Sequence, residues 1–506
     1  MQKPIIELRS ISKAFGSVQA NKNISLKVKS GTIHGIVGEN GAGKSTLMSI
    51  LYGFYKADRG DIIINGQAAL ISDSQDAIGL GIGMVFQHFK LIENFSVLEN
   101  IVLGAETGAL IEPSLQNARK ILTTLAREYE LHVDPDSLIS DLNVGMLQRI
   151  EILKALYRQA EILILDEPTG VLTPSEAEHL FRILRNLKNE GKTIILITHK
   201  LKEIMNVTDT VSVMRQGEMT ETLSTKNTNP EQLAELMVGR KVLLRVNKNK
   251  AKPRKSVLKC SNLNYSDAQG INRLKNISFD LREGEILGIA GVAGNGQSEL
   301  LEVLSGIKST NGAIELKGET IPLFGKMSNP YNRRNSGVSH VPEDRQKLGL
   351  IMEYSAWENM AFGYHRNPEY KNKKIFMHNS HLKSQTSDRM KKFDIRPSDL
   401  NILAKSFSGG NQQKLVLARE IEQNPDVLIV GQPTRGVDIG AIEFIHKRLI
   451  ELRDSGKAIL LISVELDEIL SLSDRIMVLF DGQIMGERLA ANTDEKELGL
   501  LMAGIT

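Results

Sequence analysis

The sequence has one cysteine, Cys260, in 506 residues. That excludes an internal disulfide framework and a cysteine-based zinc cluster, and it suits a reducing compartment in which the thiol is buried and inert. Long apolar runs are also missing. Ile162 to Leu165 and Ile459 to Ile462 fall far short of the ~20 residues that a membrane-spanning helix needs. Glu7 and Arg9 interrupt the apolar start, so no secretory leader is expected. Neither sign of charge dominates: 63 Lys and Arg stand against 60 Asp and Glu, a net of +3. A chain whose main partner is the phosphate backbone of nucleic acid carries a larger basic excess, so no nucleic-acid partner is expected. At about 100–200 residues per domain, the length requires more than one core.

Internal similarity supplies the organisation. Ile24-Ser-Leu-Lys-Val-Lys-Ser-Gly-Thr-Ile-His-Gly-Ile-Val-Gly38 recurs 253 positions later as Ile277-Ser-Phe-Asp-Leu-Arg-Glu-Gly-Glu-Ile-Leu-Gly-Ile-Ala-Gly291. Asp166-Glu-Pro-Thr169 aligns with Gly431-Gln-Pro-Thr434, and Ile197-Thr-His-Lys-Leu-Lys-Glu-Ile204 with Ile462-Ser-Val-Glu-Leu-Asp-Glu-Ile469, both 265 positions apart. This is a duplicated domain with insertions. The expected division is a first domain at 1–240, a linker at 241–256 and a second domain at 257–506. Arg240 to Lys255 holds eight basic residues and no acidic one, a density that disfavours packing and predicts a solvated linker. The alternative is a patch that touches anionic lipid head groups. In each half, short β-branched runs alternate with helical segments, which predicts an α/β fold with a mostly parallel sheet. Asn100 to Ala160 and Asn359 to Gln423 read as helical, giving each sheet core a helical subdomain.

The first half carries a phosphate site. Gly38-Glu39-Asn40-Gly41-Ala42-Gly43-Lys44-Ser45 fits G-x-x-x-x-G-K-[ST] between a predicted strand and a predicted helix. Its glycines let backbone N–H groups converge on phosphate oxygens at a helix N-terminus. Lys44 offers a charge to the β and γ phosphates, the Ser45 hydroxyl can ligate Mg²⁺, and Thr46 extends the set. Ile162-Leu-Ile-Leu-Asp166-Glu167 reads as a buried strand ending in two carboxylates, where ligands sit in open α/β sheets. Asp166 would hold the metal, and Glu167 would orient or deprotonate the attacking water. His199 ends another buried run and is placed to donate to the γ-phosphate; the bland alternative is a structural histidine.

Together these residues resemble a nucleotide-binding domain of the ABC-transporter family, over both halves. The resemblance implies tandem P-loop ABC ATPase domains that use ATP and Mg²⁺. It implies that Gln87 senses Mg²⁺ and touches a membrane subunit, and that Phe15 stacks on adenine, with ordinary packing as the alternative for Phe15.

The second half has lost chemistry. The lysine position is Gln297, the paired acids are Gly431 and Gln432, and the histidine position is Val464. Yet Ser408-Gly409-Gly410-Asn411-Gln412 matches the family signature, which the resemblance implies closes over the γ-phosphate with all five residues binding nucleotide, whereas the first half has Asn143 for the serine and Leu147 for the glutamine. Asp438 is present in Gly436-Val-Asp438, against Thr173 in the first half. Family domains pair head to tail, so the resemblance sets the intact loop against the intact signature and puts every marked loss on the other composite site. One hydrolytic site per chain is expected, the other being structural or regulatory.

Two fused domains of this kind resemble the ATPase subunits of bacterial simple-sugar importers, a likeness strengthened by His340-Val-Pro-Glu-Asp-Arg345 and Gln432-Pro-Thr-Arg-Gly-Val-Asp438. Many sugar members keep acids at the positions of Gly431 and Gln432, and this form, with Gln87-His-Phe-Lys-Leu91, is more similar to the nucleoside-importing branch. The resemblance implies two integral membrane permease subunits, an extracytoplasmic solute-binding lipoprotein and a place at the cytoplasmic face of the membrane. The alternatives are a ribose- or galactose-type importer ATPase, or a soluble tandem ABC protein acting on ribosomes or DNA.

Overall fold

A computed structural model of the chain describes residues 3–16, 18–86, 89–105, 111–142, 144–170, 172, 174–241, 248–292, 294–372 and 376–505. It comprises two compact units, Met1–Val242 and Leu243–Thr506. Each unit holds a six-stranded and a four-stranded sheet. In the first unit the six strands run Glu218–Ser224, Thr210–Arg215, Ile33–Gly38, Thr193–Ile197, Ile162–Asp166, Ile82–Val85. All neighbours are parallel except the first pair. The second unit repeats the arrangement with Val338–Val341, Val427–Gly431, Ala458–Ser463, Ile286–Ala290, Arg475–Phe480 and Gln483–Leu489. Every residue of Ile33–Gly38, Ile162–Asp166 and Thr193–Ile197 is buried, as continuous apolar runs in parallel sheets require.

The four-stranded antiparallel sheet goes beyond the mostly parallel core read from the sequence. Its strand Val18–Lys29 buries Ile24, Leu26 and Val28 and exposes Ser25, Lys27 and Lys29, the period-two pattern of a sheet with one packed face. Pro4–Phe15 pairs with it and with Arg59–Ile64.

The helical regions are also present, formed by Val97–Val102, Ile111–Glu128 and Val144–Tyr157 in the first unit and by Ala356–Ala361, Asn379–Lys392 and Gly409–Ile421 in the second. The second region adds a short hairpin, Lys371–Asn372 with Phe376–Met377. Ser96 with Glu99, and Ser355 with Glu358, form capping boxes at equivalent helices. Behind each cap a buried asparagine closes the preceding loop. Asn100 accepts from the Ile92 N–H and donates to the carbonyls of Ile92 and Ser96, and Asn359 does the same for Ile351 and Ser355. Trp357 is partly buried against Ala361, Tyr364, Tyr370 and Leu382. Cys260 is buried, and burial pushes its thiol well above the ordinary range.

The basic segment is not solvated throughout. Lys248 Nζ donates to the Ser473 carbonyl at 2.5 Å and lies 3.8 Å from Asp474. Arg453, with a fully buried side chain, donates to the Asn249 carbonyl at 2.9 Å and pairs with Asp474. Arg254 and Lys255 exchange backbone hydrogen bonds with Glu283. The Lys248 ammonium thus has a carbonyl and a carboxylate beside it, while most of the described residues of the segment are exposed. The Arg453→Met variant should therefore release this segment, seen as rapid tryptic cleavage after Lys248 and Lys250, with a stability loss of about 3–5 kcal/mol for a broken buried pair. Cleavage no faster than in the parent chain would show that Arg453 does not hold the segment.

Candidate active site

The loop after Ile33–Gly38 owes its shape to its glycines. Gly41 and Gly43 have φ of 81° and 95°, a left-handed region that glycine enters without steric cost. A Cβ on Gly43 would lie 2.2 Å from the Ala20 carbonyl oxygen. The strand Val18–Lys29 presses on the loop there, and Asn21 Nδ2 donates to the Gly43 carbonyl at 3.0 Å. The antiparallel sheet thus shapes the phosphate loop. Ala42 is buried beneath it, Asn40 and Ser45 are exposed, and Glu39 and Thr46 are half-buried. Lys44 opens the helix Lys44–Leu51 and is 6 % exposed. Its ammonium donates to the carbonyls of Gly38 at 2.7 Å and Glu39 at 3.0 Å. Burial lowers its pKa, opposed by the charges of Glu167, Asp166 and Glu39.

Asp166 ends its strand 6 % exposed. Burial raises its pKa, while a hydrogen bond with Ser45 works the other way. Glu167 follows at φ 47°, with its N–H donating to the Ile197 carbonyl at 2.8 Å. His199 Nδ1 lies 2.9 Å from Glu167 Oε1. Burial pushes the Glu167 carboxyl up, but the His199 hydrogen bond and charge, with Lys44 and Lys200, outweigh it and hold the pKa below the usual value. Lys44, Ser45, Asp166, Glu167 and His199 are thereby gathered at the carboxyl ends of adjacent strands. Phe15 ends its strand 43 % exposed, edge-on to Tyr55 at 5.1 Å with the Lys13 ammonium 5.6 Å from its ring. A partly exposed aromatic ring of this kind can stack on a base. Gln87, Asn143 and Thr173 lie outside the described residues.

The ABC transporter profile matches residues 21–170 and 274–435. The chain belongs to the ABC transporter family. Among curated relatives, the nucleoside import ATP-binding protein NupA of Lactococcus lactis is 47 % identical over 501 residues, covering 99 % of this chain and 98 % of the relative. The guanosine import ATP-binding protein NupO of Bacillus subtilis is 47 % identical over 504 residues, with the same coverage. The ribose import ATP-binding protein RbsA of Clostridium tetani is 38 % identical over 494 residues, covering 96 % of this chain and 95 % of that one. A solved complex of an archaeal ribosome recycling factor with ribosomal stalk protein aligns with 93 % of this chain and 87 % of that chain at a TM-score of 0.61, with 20 % identity. That likeness concerns the fold alone.

The chain is an ABC-type ATPase, and its family binds ATP. Its Ser45 hydroxyl and Asp166 carboxylate are hard oxygen donors of the kind Mg²⁺ takes together with substrate phosphates. Among the described residues no cluster of three or more His, Cys, Asp or Glu could hold a metal ion. No helix among them is long and apolar enough to cross a membrane.

The second unit keeps the ABC scaffold with altered chemistry. Gln432 sits at φ 48° and donates its N–H to the Ile462 carbonyl at 2.8 Å, as Glu167 does to Ile197. Its Oε1, however, accepts from the Val464 N–H at 3.2 Å. Ser408 caps the helix Gly409–Ile421, and Asn411 Nδ2 donates to its hydroxyl at 2.9 Å. Ser408 is exposed, Gly409 and Asn411 are half-buried and Gly410 is buried. Gln412 departs from the nucleotide contact expected of it. It is 3 % exposed and faces inward, donating to the Ala404 carbonyl at 3.1 Å.

Two structural residues escaped the sequence reading. Glu203 accepts from the hydroxyls of Thr169 and Thr198, fastening the turn that carries Glu167 to the strand end that carries His199. Its recurrence as Glu468 in the repeat was the available signal. Arg345 donates to the carbonyls of Arg435 at 2.7 Å and Gly436 at 3.5 Å, and to Gln412 Oε1 at 3.4 Å. It clamps the signature helix to the turn before Asp438, which caps the helix Ile439–Asp454.

The Glu167 and His199 pair has a pH signature. A base must be ionised, so turnover falls as pH drops through its pKa, and a depressed pKa keeps turnover going in more acidic solution. The His199→Ala variant leaves burial less opposed, and the acidic limb of its residual ATPase profile should move to higher pH. A limb at unchanged pH would show that His199 does not set the Glu167 charge.

Proposed function

We propose that this chain hydrolyses ATP to drive a nucleoside importer, with one competent ATP site formed by the phosphate loop of the first unit and the signature of the second. The observation that carries the reading is the segregation of losses. Lys44, Asp166, Glu167 and His199 are intact on one unit and Ser408 to Gln412 on the other, while Gln297, Gly431, Gln432, Val464, Asn143 and Leu147 fall together on the complementary set. Independent decay would scatter such changes. The nucleoside assignment is supported by relatives named for nucleoside and guanosine import at 47 % identity, against 38 % for a ribose relative, and by Gly431-Gln-Pro-Thr-Arg-Gly436.

In this reading Phe15 stacks on adenine, and backbone N–H groups of Gly38 to Ser45 cradle the phosphates. Lys44 turns from the Gly38 and Glu39 carbonyls to phosphate oxygens. Ser45, Asp166 and Gln87 would hold Mg²⁺, which would supply neutralisation of phosphate charge when bound. Glu167, kept ionised by His199, accepts a proton from the attacking water, and His199 donates toward the γ-phosphate. Ser408, Gly409, Gly410 and Asn411 close over it, with Gln412 bracing their helix through Arg345. Closure and reopening of the two halves drive two integral membrane permease subunits at the cytoplasmic face, fed by an extracytoplasmic solute-binding lipoprotein.

Glu167→Gln should lower steady-state ATPase by about 10²–10⁴-fold, the worth of a positioned base, and substantial surviving turnover would reject Glu167 in that role. Gln432→Glu should add nothing, because Gln297 and Gly431 remain; a second active site in that variant would refute the asymmetry. Pull-down from membranes should recover two polytopic subunits, whereas recovery of ribosomes supports the soluble alternative. Thermal-shift screening of the associated solute-binding protein should give stabilisation by nucleosides and none by ribose or galactose.

A further inference from the structure

Near the end of the signature helix Gly409–Ile421, Glu420 is a wholly buried carboxylate that the ATP site does not use. Its Oε1 accepts from Arg419 Nε at 2.8 Å and lies 3.9 Å from the Arg334 guanidinium, and its Oε2 accepts from the Tyr364 hydroxyl at 2.5 Å. That hydroxyl lies 3.2 Å from Ser339 Oγ, which donates to the Glu420 carbonyl at 3.2 Å. Arg334 covers the Tyr364 ring at 5.1 Å. Burial pushes the Glu420 carboxyl up, but Arg419, Arg334 and Tyr364 outweigh it and hold the pKa below the usual value. One carboxylate thus joins the signature helix to the helix Pro330–Asn335, to the edge strand Val338–Val341 and to the segment that follows Ala356–Ala361.

The repeat shows that the scaffold forms without this cluster. At the equivalent positions the first unit has Ile78 for Arg334, Gly83 for Ser339, Ala105 for Tyr364 and Ala155 for Glu420. A Cβ on Gly83 would lie 2.9 Å from the Ala155 Cβ, so strand and helix meet there through small apolar groups. The tie that both units share lies one residue earlier. Lys154 donates to the Lys90 carbonyl at 3.3 Å, and Arg419 to the equivalent Gly349 carbonyl at 2.8 Å. Burying charge is costly, and a well-packed apolar replacement is often neutral or stabilising, so folding alone does not account for the cluster. It stands on the unit whose signature is intact, and the apolar set stands on the unit with Asn143 and Leu147.

We infer that Glu420 is a positioning residue for ATP hydrolysis, fixing the far end of the signature helix on the sheet and thereby the height at which Ser408 to Asn411 meet the γ-phosphate. This rests on the proposed function, which gives those residues that task. From Ser408 to Glu420 the helix is about 18 Å long at 1.5 Å per residue, and it passes an axial slide along its whole length because each turn is hydrogen-bonded to the next. Apolar contact is non-directional, whereas charge-assisted hydrogen bonds fix distance and direction. A misplacement of about 1 Å can lower a rate about 10²-fold. Arg345 sets the near end of the helix through Gln412, and Glu420 sets the far end, so the axis is defined at two points.

The test compares full-length variants by steady-state ATPase, by ATP binding in equilibrium dialysis and by thermal melting. Glu420→Gln keeps the shape of the side chain without its charge and should lower kcat at least about tenfold, within the range that small misplacements produce, with the Kd for ATP unchanged. Tyr364→Phe removes one hydroxyl and should lower kcat in the same direction at an unchanged Tm, which keeps the test open if Glu420→Gln fails to fold. Replacing the whole cluster by its first-unit counterparts, Arg334→Ile, Ser339→Gly, Tyr364→Ala and Glu420→Ala together, should give a chain that melts no lower than Glu420→Gln yet still turns over slowly, which separates positioning from stability. The inference is overturned if Glu420→Gln and Tyr364→Phe turn over at the parent rate, or if the rate falls only as far as ATP affinity or Tm falls. Ser408→Arg is measured in parallel and should abolish turnover. Turnover surviving in that variant would reject the signature reading itself, whatever the Glu420 variants do.

Discussion

A strand buried on both faces can present chemistry only where it ends, and this constraint organises both units. Ile162–Asp166 and Val427–Gly431 are wholly buried, and each is followed by a residue forced into the left-handed region, Glu167 at 47° and Gln432 at 48°. Each donates its N–H to a carbonyl near the end of the adjoining strand, Ile197 in the first unit and Ile462 in the second. A non-glycine residue in such a conformation costs of order 1–3 kcal/mol and persists when its surroundings over-determine it. The turn survives in the second unit without the carboxylate, so its geometry belongs to the scaffold. The chemistry is a choice of side chain laid on that scaffold, and one scaffold can carry a base in one copy and an amide in the other.

The catalytic set depends on neighbours as much as on the turn. His199 hydrogen-bonds Glu167 and lowers its pKa, Glu203 ties their two strand ends together through Thr169 and Thr198, and the antiparallel sheet presses Gly43 into place through Ala20 and Asn21. Side chains that carry charge are few, and most of the surrounding contacts restrict where those few can go.

Much of this was legible in the sequence because it was local or repeated. The Gly38 to Ser45 spacing, the apolar run ending in Asp166 and Glu167, and the duplicated segments all report what a single stretch of chain will do. The antiparallel sheet was present in the alternation of Ile24, Leu26 and Val28, yet its partner strands had to be found in space. Arg345 was less accessible still, since its acceptors lie 67 to 91 residues away. Gln412 illustrates the same limit. Its position in the signature was plain, but its inward direction is set by Ala404 and Arg345. Charge density, which describes repulsion alone, is silent about where the basic segment is tied down, at the carbonyls that accept from the Lys248 ammonium and the Arg254 N–H.

The filled space beside Gly431 has a historical consequence. A Cβ at this position would lie 2.5 Å from Leu301 Cδ1 and 3.1 Å from the Glu343 backbone nitrogen. A single reverse mutation at that codon would meet a filled core before it met a phosphate, so neighbouring residues would have to repack first. Such a position behaves as a ratchet: once its surroundings settle around the glycine, the two copies can no longer drift back to equivalence one step at a time.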